Sequence, residues 1–126
     1  MRTLLKSKLH RVTVTRTELH YEGSCAVDEA LLEAADLVQY ERVDIYNVNT
    51  GQRFTTYVVK APRGSGTICV MGAAARLASV GDRLIVAAYA TFDEPLVAGH
   101  APRIVRVDEK NHILEVKSAP AGLPRP

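Results

Sequence analysis

The run Val43-Asp44-Ile45-Tyr46-Asn47-Val48, then Asn49-Thr50-Gly51-Gln52, then Phe54-Thr55-Thr56-Tyr57-Val58-Val59, decides the fold class. Its two outer parts alternate or enrich in β-branched residues, as strands with one buried face do. The four residues between them supply the Asn and Gly of a tight reversal with positive φ, so the segment reads as a hairpin. Similar runs lie at Arg11–Thr15, Thr67–Met71, Leu84–Thr91, Ile104–Val107 and Ile113–Lys117, with Glu109-Lys110-Asn111-His112 as a second turn between the last two. Such short strands, in a chain too short for two packed sheets of full size, point to a small six- to seven-stranded barrel whose closure removes exposed edges.

Helix is scarce in this pattern. Asp28 can cap one short helix whose apolar stripe is Leu31, Leu32, Ala35 and Val38, with Glu29, Glu33 and Asp36 outward. A second helical turn is expected through Ala73–Ala78. Residues 1–118 read as a single domain, and the Pro-rich residues 119–126 as an unstructured tail.

At 126 residues and 13.8 kDa the chain has enough core to fold without metal or disulfide staples. Sixteen basic and 14 acidic residues leave a net charge of +2, which argues against a nucleic-acid coat protein or a membrane-surface binder. The distribution is uneven, since residues 1–17 carry Arg2, Lys6, Lys8, Arg11 and Arg16 and no acid. No apolar run is long enough to span a membrane, and Lys6 and Lys8 interrupt any signal-peptide centre, so cytoplasm is the expected location. Cys25 and Cys69 lack paired spacing and are expected as two free thiols. The four histidines, His10, His20, His100 and His112, show no metal-ligand spacing, so no metal is expected. Gly64-Ser65-Gly66 fails the dinucleotide and phosphate-loop spacings and reads as a turn. A nucleophile elbow is absent.

Taken by spacing alone, Tyr21-Glu22-Gly23-Ser24-Cys25 reads as a plain loop. Five motifs in order change that reading. They are Lys8-Leu9-His10-Arg11, Glu18-Leu19-His20-Tyr21-Glu22-Gly23-Ser24, Gly51-Gln52-Arg53-Phe54-Thr55-Thr56-Tyr57, Arg63-Gly64-Ser65-Gly66, and Gly72-Ala73-Ala74-Ala75 followed by Val80-Gly81-Asp82. Together, in register from about Arg2 to Val107, they resemble the bacterial aspartate 1-decarboxylases.

The resemblance implies a double-psi β-barrel, a homotetramer and a pyruvoyl cofactor made from the chain itself. Ser24 would attack the carbonyl of Gly23, and elimination and hydrolysis would leave Gly23 as a new C-terminus and Ser24 as the pyruvoyl group. Such an acyl shift runs uphill unless the peptide is held in an unfavourable geometry and its oxyanion meets donors. Thr56 matches the residue that supplies a hydrogen bond during this processing. The ketone would form a Schiff base with L-aspartate and accept the electron pair released with carbon dioxide. Tyr57 matches the proton donor that completes β-alanine.

Lys8 and Arg53 match the substrate-binding cations, one a point charge and the other a planar fork. Gly72, Ala73, Ala74 and Ala75 match substrate contacts, while His10 and Tyr21 match supporting positions. The implied role is supply of β-alanine for pantothenate and coenzyme A synthesis. The remaining basics of residues 1–17 read as solvated surface.

Two positions depart from the pattern. Met71 stands where the family usually has Asn before Gly-Ala-Ala-Ala, and Arg76 where His is frequent. A thioether cannot replace an amide's hydrogen bonds, so self-cleavage is expected to be slow, to need a maturation factor, or to rest on Thr56 and backbone groups. The alternatives are an unprocessed, inactive relative acting as an interaction or regulatory subunit, and a barrel that binds nucleic acid through its basic N-terminal segment.

Overall fold

The computed structural model describes residues 1–118. Its strands are β1 (Arg2–Thr13), β2 (Arg16–Glu18), β3 (Ser24–Asp28), β4 (Arg42–Asn47), β5 (Arg53–Ala61), β6 (Ile68–Met71), β7 (Arg83–Phe92), β8 (Arg103–Val107) and β9 (Ile113–Lys117). Two short helices, α1 (Glu29–Ala34) and α2 (Glu94–Val97), and a 3-10 turn at Gly72–Leu77 complete the described chain.

The strand pairing closes on itself. β1 pairs antiparallel with β7, β7 with β4, and β4 with β5. β5 lies parallel to β3, which pairs antiparallel with β6. β6 runs parallel to β2, and β2 continues from β1 through Val14 and Thr15, whose N–H groups donate to Asp82 O and Ile68 O, both at 2.9 Å. The β1–β2 run is therefore both first and last stave of a six-stranded ring, the small barrel expected from the sequence. β8 and β9 add to the free edge of β1 outside that ring.

Alternation fills the interior. Val43 and Ile45 of β4 point inward with Leu9 and Val12 of β1, Val58 of β5 and Leu84 and Val86 of β7. Burial of each such side chain contributes about 1.5–3 kcal/mol. The hairpin at Asn49–Gln52 forms, with Gly51 at φ +79° and its N–H donating to Asn47 O at 2.8 Å. The second hairpin joins β8 to β9 through Asn111 at φ +65°. α1 buries Leu31 and Leu32, and its C-cap Ala35 is buried with them, whereas Val38 lies farther beyond the helix and is exposed, because the chain turns away after Ala34. Cys25 and Cys69 are free, buried thiols, and burial pushes Cys25 up to about 12.

Among the described residues nine strands form where six or seven were expected. β2 is only three residues long, and β3 is built from Ser24, Cys25, Ala26, Val27 and Asp28, whose small side chains carry little strand signal. β1 extends back to Arg2 because Lys6 and Lys8 need not enter the core when their neighbours do. A register shift between Leu9 and Val12, with Arg11 at φ +66°, is the bulge that bends this long strand round the barrel. The expected tail at residues 119–126 lies outside the described residues.

One buried carboxylate ties the pieces. Asp28 Oδ1 accepts from Ala30 N–H at 2.8 Å and Gly64 N–H at 2.9 Å, and Oδ2 accepts from Gly66 N–H at 2.9 Å. It thus caps α1 and fixes the Arg63-Gly64-Ser65-Gly66 turn in the same step. Replacing Asp28 with Ala leaves these donors unpaired and should lower stability by about 3 kcal/mol. Urea denaturation reads this directly, and an unchanged midpoint would refute the role given to Asp28.

Candidate active site

Ser24 opens β3, is buried, and stands opposite Met71 in the β3–β6 ladder. Gly23 precedes it and Gly72 presses on it. Gly72 has φ +70°, and a Cβ built there would fall 2.5 Å from Gly23 Cα, 2.7 Å from Gly23 N and 3.1 Å from Tyr21 O. Only glycine satisfies both that torsion and that contact. The 3-10 turn carrying Ala73, Ala74 and Ala75 therefore starts against the Gly23–Ser24 peptide, with Tyr21 on the same loop.

Strand register places the other expected residues. Cys25 pairs with Val58 in the parallel β3–β5 ladder, so one step back sets Ser24 beside Tyr57 and two steps set Gly23 beside Thr56. Alternation then puts Ser24 and Tyr57 on the outer face of the barrel, and turns Thr56 toward the side on which glycine has no side chain. Continuing outward, Tyr57 pairs with Arg42, Thr55 with Asp44, and Arg53 with Tyr46. Asp44 pairs with Ala87, and Ala87 with Lys8.

The expected residues thus fall into two groups. Gly23, Ser24, Thr56, Tyr57, Tyr21 and the Gly72–Ala75 turn converge. Arg53 lies four residues along β5 from Tyr57, about 13 Å away. Lys8 lies four strand spacings from Ser24 by way of β5, β4 and β7, an arc of about 19 Å round the barrel. Lys8 and Ser24 therefore stand on strands that do not pair with each other. His10 follows two residues on, beside Arg106 of β8.

The outer face is organised by aromatic and basic groups. The Arg53 guanidinium sits 4.3 Å from the centre of the Tyr46 ring. Tyr46 Oη and Tyr89 Oη are 2.8 Å apart, and this hydrogen bond, aided by burial, pushes the Tyr46 phenol up to about 12. Burial and then the nearby Lys8, Arg106 and Arg11 charges lower His10, so its imidazole is neutral near pH 7. Its Nδ1 is buried without a partner among the described residues.

The basic N-terminal segment is less free than expected. Arg2 pairs with Glu94 at 2.9 Å, Lys6 with Glu41 at 2.7 Å and Arg16 with Glu18 at 2.5 Å. Lys6 and Glu41 are each only 22% exposed, which corrects the reading of this lysine as solvated surface. Their glutamates are distant in sequence for Arg2 and Lys6, so composition could not reveal the pairing.

Sequence reasoning did not single out Arg42, Asp44 or Tyr89. With Thr3 and Ala87 they line a cleft of about 320 Å³ on this outer face. Polar residues at every second position of β4 were the available signal, but only the pairing of β4 with β5 and β7 shows what they stand beside.

The protein-family description Aspartate decarboxylase matches residues 1–114. The aspartate 1-decarboxylase of Laribacter hongkongensis is 61% identical over 123 residues, covering 98% of this chain and 94% of that protein. That of Chromobacterium violaceum is 58% identical and covers 94% of each chain. That of Methylobacillus flagellatus is 62% identical over 112 residues, or 89% of each. With identity of this degree over nearly the full length of each relative, the chain belongs to the aspartate decarboxylase family.

Proposed function

We propose that this chain cleaves itself between Gly23 and Ser24 and then decarboxylates L-aspartate to β-alanine and carbon dioxide, supplying pantothenate and coenzyme A synthesis in the cytoplasm. The observation that carries this reading is the Gly72–Gly23 contact. It presses the peptide ahead of a buried serine against a turn whose position 72 admits no side chain.

The self-cleavage uses the chain's own groups. Ser24 Oγ adds to the Gly23 carbonyl carbon, the peptide C–N bond breaks, and an ester joins the two residues. The Thr56 hydroxyl donates to the carbonyl oxygen as it gains charge. Loss of the Ser24 Cα proton expels the Gly23 carboxylate, and water then releases ammonia from the new terminus. These residues fit a pyruvoyl group at position 24: the position is buried, glycine surrounds it, and a phenol stands beside it. That group supplies an electrophilic ketone and an electron sink.

Tyr57 delivers the proton to the carbon that loses carbon dioxide. Arg53, stacked on Tyr46, grips the retained carboxylate with its planar fork, and Lys8 adds a point charge. The departing carboxylate must sit away from both cations, because strong ground-state pairing would resist loss of its charge. Backbone groups of Ala73, Ala74 and Ala75 border the substrate, and His10 and Tyr21 support the walls.

Lys8 stands on β1, which pairs with β7 and β8 and not with the β3 strand of Ser24. This supports a homotetramer in which the outer face of one barrel completes the Ser24 site of the next. Light scattering of the purified protein should give the mass of four chains, and a monomer that turns over aspartate would refute it. The pairing of Arg2, Lys6 and Arg16 with glutamates offsets three of the five basic residues of the N-terminal segment, which counts against that segment as a nucleic-acid surface.

Met71 favours slow maturation over loss of function. Its side chain shares a ladder rung with Ser24 yet donates no hydrogen bond, so a maturation factor would act by supplying the missing constraint. Intact mass spectrometry checks the chemistry. The native chain should give two fragments, the larger lighter by ammonia than hydrolysis alone predicts, and Ser24→Ala a single inactive mass. Met71→Asn should cleave faster, and Ser24→Ala turning over aspartate would sink the proposal. Arg53→Ala should raise the KM for aspartate at least tenfold, the loss of a charge-assisted pair of about 1.5–3 kcal/mol.

A further inference from the structure

We propose that Tyr40 is a positioning residue that holds the Tyr57 phenol against the Ser24 site and that the chain accepts backbone strain to keep it there. The inference rests on the proton-donor role proposed for Tyr57.

Residues 38–41 form a tight turn closed by Glu41 N–H donating to Val38 O at 3.1 Å. Tyr40 is its third residue and has φ +72°, whereas Gln39 is not among the positive-φ residues. That combination defines a type II turn, whose third position belongs to glycine or asparagine. A bulky aromatic there is an outlier with a steric cost. Neither core burial nor a side-chain anchor explains it, since Tyr40 is 69% exposed.

Its surroundings over-determine the conformation. Tyr40 N–H donates to Val58 O at 2.7 Å, and Val58 N–H donates to Glu41 O at 3.1 Å, so both backbone groups of the residue after Tyr57 grip the turn. Glu41 is held in turn: Oε1 accepts from Val38 N–H at 3.1 Å and Oε2 from Lys6 Nζ at 2.7 Å. Strain that persists under such restraint marks places where geometry serves function.

The product of this arrangement is an aromatic contact. The Tyr40 and Tyr57 ring centres are 6.3 Å apart with planes tilted by 54°, within the range of favourable edge-to-face pairs. Tyr57 is itself 36% exposed on an outer face, with Ser24 on one flank and Arg42 on the other. Without Tyr40 its ring would be free to swing toward solvent. A proton donor acts only from hydrogen-bond reach, so a displaced ring lowers kcat before it affects substrate binding.

The test separates strain from placement. Tyr40→Asn suits the left-handed torsion and removes the ring, so the cleaved protein should melt at a higher temperature while kcat falls about tenfold and KM stays near its native value. Tyr40→Leu keeps the strain and loses the aromatic face, so kcat should fall equally with no gain in melting temperature. Tyr40→Phe should restore kcat. Each variant is first checked by intact mass for full cleavage, and Tyr57→Phe is measured alongside. If Tyr57→Phe loses kcat but Tyr40→Asn and Tyr40→Leu retain it, the inference is overturned and the proton-donor reading stands. If Tyr57→Phe retains kcat, both fall.

Discussion

The Asp28 carboxylate accepts three backbone N–H groups from two separate segments, and much of the barrel's irregular half depends on it. It ends β3, starts α1 and anchors the turn that leads into β6. The same turn is gripped from the other side: Asn111 Nδ2 donates to Gly66 O at 2.8 Å and to Thr13 O at 2.9 Å. Asn111 Oδ1 accepts from Thr13 N–H at 2.7 Å. Two buried polar side chains thus join β1, β3, the turn before β6 and the last hairpin. Buried groups of this kind stabilise only when fully paired, and both are.

That frame explains why Ser24 can be held under pressure. β3 is five residues long and has small side chains, so its position comes from its neighbours rather than from its own packing. β5 and β6 flank it, Asp28 fixes its far end, and Gly72 leans on the peptide at its near end. Whatever unfavourable geometry the Gly23–Ser24 bond carries is stored against hydrogen bonds distributed over several strands.

The barrel class was legible in the hairpin at Asn49–Gln52 and in the β-branched runs, because strand periodicity is a local property. So was α1, whose cap and buried leucines are adjacent in sequence. β2 and β3 were not, since three residues, or a run of Ser, Cys and Ala, carry no period. For the candidate site, motif resemblance named Ser24, Tyr57 and Gly72, and strand pairing then showed them as neighbours. Nothing local marked Tyr40: the demand for a positive φ arises from backbone bonds to Val58 and from Glu41's tie to Lys6, which are contacts between segments. The placement of Lys8 on a strand that does not pair with that of Ser24 was equally hidden, because a linear motif carries no strand order.

The double duty of the β1–β2 run has a further consequence. The proposed cut after Gly23 would leave that run on a separate peptide, yet still as the stave that closes the ring, zipped to β7 along most of β1, to β8 over Ser7–His10 and to β6 over Arg16–Glu18. The cleaved protomer would be a non-covalent complex of two chains whose folding obeys mass action: its melting point would rise with concentration, and dilution after unfolding would separate pieces that must find each other again. The proposed self-cleavage would thus remove an easy route back from denaturation, and the endurance of the cleaved form would be governed by how slowly the short strand lets go.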